Sequence, residues 1–161
     1  MPQKAAGRVA AGTNKFYEAL AANFTRVIPH SRECGMIVDS IDSQSARAHL
    51  PYRPEWLGDT ERGLIHTGII TTLVDTVSGL AAFAAGGEFE LIATLDLRMD
   101  YLRPARPDKT LYSRAECYRM TRSIAFVRAS AWQDSEQEPV AVSQSTFMRS
   151  SRSSQRSKRA G

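Results

Sequence analysis

Residues 63–87, GLIHTGIITTLVDTVSGLAAFAAGG, form the longest apolar run of the chain and constrain its fold more than any other feature. Apolar side chains recur in this run at helical spacing on two adjoining stripes: Ile69, Leu73, Val77 and Leu80, then Ile70, Val74, Val77 and Ala81. A helix that is apolar around most of its circumference is normally enclosed by the rest of the protein. We therefore predict a central helix over 69–85, ended by Gly86 and Gly87.

A membrane span is a second interpretation of this run, but its polar residues argue against it. A spanning helix needs about 20 predominantly apolar residues, whereas this run contains His66, Asp75, several threonines and glycines at 68, 79 and 86. The N-terminal residues MPQKAAGRVAAG contain no apolar core of signal-peptide length. Cys34 and Cys117 match neither a disulfide framework nor a zinc pattern. We expect a cytoplasmic protein that does not bind a membrane.

The second half of the chain predicts four strands. Residues 91–101 alternate in polarity, which places Leu91 to Tyr101 on an apolar face at the odd positions and Thr94 on the opposite face. Residues 110–120, 123–132 and 139–148 predict three more strands, and the short links indicate an antiparallel meander. Two of these strands have a face of small side chains that lets a helix approach closely: Ala125, Val127, Ala129 and Ala131, then Ala141, Ser143 and Ser145.

The first half predicts a short helix over 13–24, with Phe16, Leu20 and Phe24 on one face, and then a hairpin of 35–42 and 45–52 that turns at Asp42–Ser43. The fold class is therefore α+β, with an antiparallel sheet wrapped around one long central helix and a short N-terminal helix. A single sheet leaves one edge and part of the helix uncovered. Pairing of two copies is the simplest way to cover both, so we expect a homodimer or homotetramer.

Charge divides the chain into a body and a tail. Residues 149–161, RSSRSSQRSKRAG, carry five of the 21 basic residues and none of the 17 acids, so the formal net charge of +4 comes from this segment. Serine and arginine bury too little apolar surface to order such a segment, and it lacks the aromatic residues that favour nucleic-acid binding. We predict a disordered lead over 1–12, one domain over 13–148 and a solvated basic tail over 149–161, with nucleic acid an improbable partner.

The predicted order of elements resembles the hotdog fold, in which a curved sheet wraps a long helix. The start of the helix is similar to that of the phenylacetate-degradation (PaaI-like) acyl-CoA thioesterases, which carry a His-Gly-Gly turn and an acid nine positions after the histidine. Here His66, Thr67, Gly68 and Asp75 have that spacing. Tyr101 to Ala105 also resemble the aromatic-x-x-Pro-Ala corner of the family. The resemblance covers residues 34–148 and implies thioesterase activity.

Thioester cleavage requires hydrogen-bond donors for the developing oxyanion and an acid that activates water or attacks the carbon. The backbone N–H groups of Thr67 and Gly68, at the positive end of the helix dipole, are the candidate donors. Asp75 is the candidate base or nucleophile, but eight residues separate it from Thr67, which is about 12 Å along a helix. We therefore predict composite sites in a dimer, with Asp75 of one chain beside Thr67 and Gly68 of the other. The alternative is that Asp75 only bonds Thr71, Thr72 or the backbone.

Further candidates follow from the resemblance. His66 shapes the turn before the helix or contacts the thioester, and a purely structural role is the alternative. Thr60 stands where the family often has an amide residue, and Thr94 matches a family hydroxyl that orients water. Arg122 and Ser123 resemble a step that contacts the CoA phosphates, although a solvated turn explains them equally well. Thr67 itself replaces a glycine of the family, which crowds the carbonyl site with a β-branched side chain.

These observations predict an acyl-CoA thioesterase that hydrolyses an acyl- or aryl-CoA to the free acid and CoA. It requires no cofactor, since CoA is part of the substrate, and no metal, because no two histidines have ligand spacing. The alternative function is a non-catalytic acyl-CoA-binding or regulatory hotdog protein, which the substitutions at Thr60 and Thr67 favour.

Overall fold

The computed structural model of the protein describes residues 11–88 and 90–150. The helices are α1 (Ala11–Val27), α2 (Pro29–Glu33) and α3 (Thr67–Gly86), with a short 3₁₀ helix at Pro54–Trp56. The strands are β1 (Ile37–Ile41), β2 (Ser45–Leu50), β3 (Leu57–Asp59), β4 (Leu64–Ile65), β5 (Leu91–Tyr101), β6 (Leu111–Met120), β7 (Ile124–Trp132) and β8 (Ala141–Ser150). The first ten residues of the predicted lead, and the predicted tail from 151 onward, lie outside the described residues.

Six strands form one antiparallel sheet in the order β1-β2-β6-β7-β8-β5, while β3 and β4 form a separate small hairpin. The predicted meander is therefore wrong at its first step, because β5 pairs with β8 and lies at the edge, whereas β6 pairs with β2. The crossover at 102–110 is about as long as the true hairpin link at 133–140. Length alone does not distinguish the two connections.

Helix α3 packs on the inner face of this sheet and forms the centre of the core. Its buried residues are Ile70, Leu73, Val74, Val77, Ser78, Leu80, Ala81, Ala82 and Ala84. The small side chains predicted to face it on β7 and β8 are all buried, from Ala125 to Ala131 and from Ala141 to Ser145 at alternate positions. The sheet, the central helix and the N-terminal helix confirm the predicted α+β hotdog architecture.

A β-bulge in β5 overturns the predicted facing of that strand. Its pairing with β8 shifts register between Thr94 and Asp96, and an extra residue at a bulge inverts the alternation beyond it. Leu97 and Met99 pack on the core as predicted, but Leu91 and Leu95 are 68% and 55% exposed. Before the bulge the inward positions are the even ones, so Thr94 faces α3 instead of lying opposite the apolar face.

The remaining elements are of the predicted type, but some of them begin or end at residues other than those predicted. Helix α1 begins two residues before and ends three residues after the predicted helix, and the segment between the predicted hairpin and the predicted central helix contains the 3₁₀ helix, β3 and β4. The hairpin of β1 and β2 is confirmed. Arg149, predicted to begin the tail, belongs to β8, where its Nε donates to Glu90 Oε1 at 2.7 Å.

Helix α3 is also the one helix of the described residues that is long and apolar enough to cross a membrane by length and composition, with a mean hydropathy of 1.5. Half of that window is buried inside the protein. Packing against the sheet therefore accounts for the apolar run that dominates the sequence.

Candidate active site

Asp75 lies on the side of α3 that faces the edge strand β5, and it is half-buried. Its Oδ1 accepts a hydrogen bond of 2.9 Å from Thr94 Oγ1 of β5. Asp75 thus lies at the edge of the apolar stripes, where the helix faces β5. The two residues predicted to act on water are adjacent, and the β-bulge is the feature that aims Thr94 at the helix.

The start of α3 is held by His66, its N-cap residue, whose backbone is extended with φ −63° and ψ 129°. Gly68 N–H donates to His66 Nδ1 at 2.9 Å, and His66 N–H donates to the Trp56 carbonyl at 2.8 Å. Because Nδ1 accepts, a neutral ring carries its proton on Nε2. His66 therefore caps α3 through Nδ1, and its Nε2–H takes no part in the capping bond.

Gly58 of β3, which the sequence did not single out, fixes the position of His66. A Cβ at Gly58 would lie 2.9 Å from His66 Cα and 3.0 Å from His66 Cβ. Any side chain there would push the histidine and the helix start apart. A glycine eight residues before a motif histidine carries no signal in the sequence, because only the β3–β4 hairpin brings the two together.

Tyr101 is a second residue that sequence reasoning missed at the helix start. Its hydroxyl lies 2.6 Å from Thr71 Oγ1, and Thr71 Oγ1 also bonds the Thr67 carbonyl at 3.1 Å. The end of β5 is thereby tied to the first turn of α3. The aromatic-x-x-Pro-Ala corner marks Tyr101 in the sequence, but the corner alone does not indicate which residue the hydroxyl contacts.

The other predicted site residues lie apart from Asp75. Thr67 and Gly68 are a little over two turns away, about 12 Å along α3. Thr60 is exposed between β3 and β4. Arg122 and Ser123 form the β6–β7 turn, where the Ser123 carbonyl accepts from Arg149 N–H at 2.8 Å. One chain therefore brings together Asp75 and Thr94 only, and places the helix-start donors elsewhere.

A groove of about 710 Å³ opens beside Asp75 and Thr94, between α1, α3 and the start of β5. Its walls are largely apolar and include Phe24, Phe83 and Ile92. Within the described residues no group of three or more His, Cys, Asp or Glu side chains is placed to hold a metal ion. The arrangement is thus a hydrogen-bonded carboxylate at the rim of an apolar groove, which can act as a base or nucleophile toward an apolar substrate.

Comparison with known proteins gives a consistent family. Residues 62–140 match the Thioesterase superfamily. A putative esterase of Halobacterium salinarum is 32% identical over 121 residues, which are 70% of this chain and 79% of that protein. The medium/long-chain acyl-CoA thioesterase YigI of Escherichia coli is 25% identical over 138 residues, which are 78% of this chain and 88% of YigI. The crystal structure of a Pseudomonas aeruginosa protein has 39% identity and a TM-score of 0.74, covering 82% of this chain and 98% of that one.

Proposed function

The chain belongs to the thioesterase superfamily and is a thioester hydrolase, and we propose that its substrate is an acyl-CoA, which it cleaves to the free acid and CoA. The similarity to a medium/long-chain acyl-CoA thioesterase supports this substrate class. The spacing of His66, Gly68 and Asp75 further supports a place in the PaaI-like branch. The reaction needs no cofactor, and we place it in the cytoplasm.

The observation that carries the proposal is the hydrogen bond of 2.9 Å between Thr94 and Asp75 at the rim of the groove. Asp75 takes a proton from water as the water oxygen attacks the thioester carbon, and the proton is passed to the departing CoA sulfur. In the alternative route the Asp75 carboxylate attacks the thioester carbon, the C–S bond breaks and CoA leaves as the thiolate, and water then hydrolyses the mixed anhydride to the free acid and the Asp75 carboxylate. Thr94 holds the carboxylate in either route.

The oxyanion requires donors that Asp75's own helix start is too distant to supply. We propose that the helix start of a second subunit supplies the donation at Thr67, while Gly68 lets the carbonyl approach closely, with two composite sites per dimer. The exposed edge strand β5 supports this, since it carries Leu91 and Leu95, which are 68% and 55% exposed. Because His66 Nδ1 holds Gly68 N–H, the Thr67 N–H and His66 Nε2–H are the donors that remain for the carbonyl oxygen. Thr60, Arg122 and Ser123 are proposed to contact the CoA portion.

Replacement of the carboxylate tests the assignment. Asp75→Asn keeps the shape of the side chain and its capacity to accept from Thr94, but it removes the base, so release of CoA thiol should fall by at least about a hundredfold. The matched control is Asp134→Asn, at an exposed acid between β7 and β8, which should keep wild-type turnover. Undiminished turnover in Asp75→Asn would contradict the proposed function.

A further inference from the structure

The groove beside Asp75 extends along α3 toward the C-terminal half of that helix. Asp75, Gly79 and Phe83 lie one turn apart on the same face of α3 and all line the groove. The opposite wall is α1, which contributes Phe24 and Val27 from its apolar face. The groove is therefore a channel between two helices, and the proposed catalytic carboxylate stands at one end of it.

At the far end of this channel, Phe83 packs against α1. The Phe83 ring stacks on Phe16 of α1 with centroids 6.5 Å apart and planes 11° apart. Glu90, the other carboxylate that lines the groove, is paired with Arg149 at 2.7 Å, and their side chains are only 3% and 14% exposed. The charge of Glu90 is thus compensated, and among the described lining residues Asp75 is the one carboxylate without an ion pair.

The length of the channel selects among acyl groups. From Asp75 to Phe83 is eight residues, or about 12 Å along the helix. An extended chain advances about 1.2 Å per bond, as the peptide backbone does over its three bonds per residue. We infer that the channel between α1 and α3 holds the acyl chain of a medium-chain acyl-CoA of about ten carbons, and that Gly79 sets how far the chain enters. This inference rests on the proposed function for the direction in which the thioester faces.

Gly79 is the position where a side chain would obstruct the channel. It lies about 6 Å along α3 from Asp75, which is halfway to Phe83. Among the described residues, a Cβ at this position would have one neighbour within 4 Å, Phe147 Cε1 at an ordinary 3.5 Å. Glycine inside a helix is unfavourable compared with alanine, and neither a positive φ nor a backbone contact requires it here. Open space for a ligand explains it.

The test compares wild type, Gly79→Ala and Gly79→Leu on butyryl-, octanoyl-, decanoyl- and palmitoyl-CoA. In wild type kcat/KM should rise to a maximum near decanoyl-CoA. Gly79→Leu should lower kcat/KM for decanoyl-CoA by about tenfold or more while leaving butyryl-CoA within about twofold, because each buried methylene lost weakens binding. Gly79→Ala should fall between them. Ala22→Leu adds the same side chain to an exposed position of α1 outside the groove and should change nothing.

Binding of the free acids is measured alongside, because it does not depend on turnover. Calorimetric titration should show that decanoate binds wild type more tightly than butyrate, and that Gly79→Leu removes the difference. An equal loss of turnover at every chain length, together with a changed oligomeric state in size-exclusion chromatography, would mean that a second subunit fills the channel and would overturn the inference. If no acyl-CoA is cleaved but decanoate binding still depends on position 79, the proposed function fails and the acyl channel stands.

Discussion

At the scale of single residues, the sequence nominates candidate side chains, whereas the contacts between them come from the fold. The spacing of His66 and Asp75 marked both as candidates. Their contacts depend on features that leave no pattern in the sequence. The β-bulge turns Thr94 toward Asp75, and strict alternation had placed Thr94 on the wrong face. Gly58 lies against His66 only because two short strands pair.

The contact between Thr94 and Asp75 makes a prediction that separates positioning from folding. Thr94→Val keeps the shape of the side chain but removes the hydroxyl that donates to Asp75 Oδ1 at 2.9 Å. A hydrogen bond to a charged group contributes about 1.5–3 kcal/mol, so kcat should fall about ten- to a hundredfold. The KM for decanoyl-CoA should change little, since Thr94 touches the carboxylate and not the chain.

Thr94→Ser is the matched control, because it restores the hydroxyl in a smaller side chain. It should recover most of the wild-type kcat. An undiminished kcat in Thr94→Val, with a loss confined to Thr94→Ser, would show that the methyl group matters through packing, and would remove Thr94 from the proposed site. Thermal unfolding of both variants verifies that the sheet edge remains intact.

At the scale of elements, prediction succeeded where local chemistry decides the outcome. The β1–β2 hairpin could be predicted from the sequence because its turn is stabilised within residues 42–45. The Asp42 carboxylate accepts hydrogen bonds from the Gln44 and Ser45 N–H groups at 2.8 and 2.7 Å. The pairing of β5 with β8 could not be predicted, because it depends on which edge of the sheet the chain joins after α3. Hydrogen bonds within a turn join residues that are close in the sequence, so they can be predicted from it. The pairing of distant strands depends on how the whole core packs.

The Asp42 turn predicts a pH dependence of stability. Burial raises the pKa of the Asp42 carboxyl, but hydrogen bonds from Ser45 and from the Gln44 and Ser45 N–H groups, with the charge of Arg114, outweigh it and hold the pKa below its ordinary value. A carboxyl with a lowered folded-state pKa stabilises the protein above the unfolded-state pKa, and this stability is lost as the pH falls through the folded-state pKa.

Asp42→Ala should therefore lower the free energy of unfolding by about 1–2 kcal/mol at neutral pH. Urea denaturation of both proteins measures the difference, which should shrink as the pH falls below about 4. Asp108→Ala is unsuitable as a control because that residue has a positive φ of 60°. Ser43→Ala changes the neighbouring turn residue and should be nearly neutral. A deficit in Asp42→Ala that stays constant from neutral to acidic pH would contradict this account.

At the scale of the whole molecule, the sheet of one chain ends in a long edge strand, and Asp75 lies about 12 Å along α3 from Thr67. The sheet ends at β5, an eleven-residue edge strand that exposes Leu91 and Leu95. Asp75 lies on the side of α3 that faces this edge strand. A single sheet around one helix leaves an edge uncovered, which is the basis of the predicted homodimer or homotetramer. The arrangement of the second copy is a property of two surfaces together, which no pattern within one chain encodes.

Composite sites predict complementation between two inactive variants. In Asp75→Asn the base is lost, and in Gly68→Val the helix start is blocked, since a Cβ at Gly68 would lie 2.8 Å from His66 Nδ1. If Asp75 of one chain serves the helix start of the other, a dimer of the two variants has one wholly wild-type site and one doubly defective site. Random pairing of equal amounts then restores about a quarter of the wild-type activity per chain. Co-expression under two affinity tags, followed by thiol-release assays, measures it.

The double variant Asp75→Asn, Gly68→Val is the matched control. In composite sites, mixing it with wild type should lower activity, whereas mixing the two single variants should restore it. Paired with wild type, it contributes one defect to each of the two sites, so the mixed dimer is inactive. Equal mixing should lower the activity from about half of the wild-type value before exchange to about a quarter after it. Sites contained within one chain would instead leave the first mixture inactive and the second at half. The two mixtures thus move in opposite directions only if each active site takes its carboxylate from one subunit and its amide donors from the other.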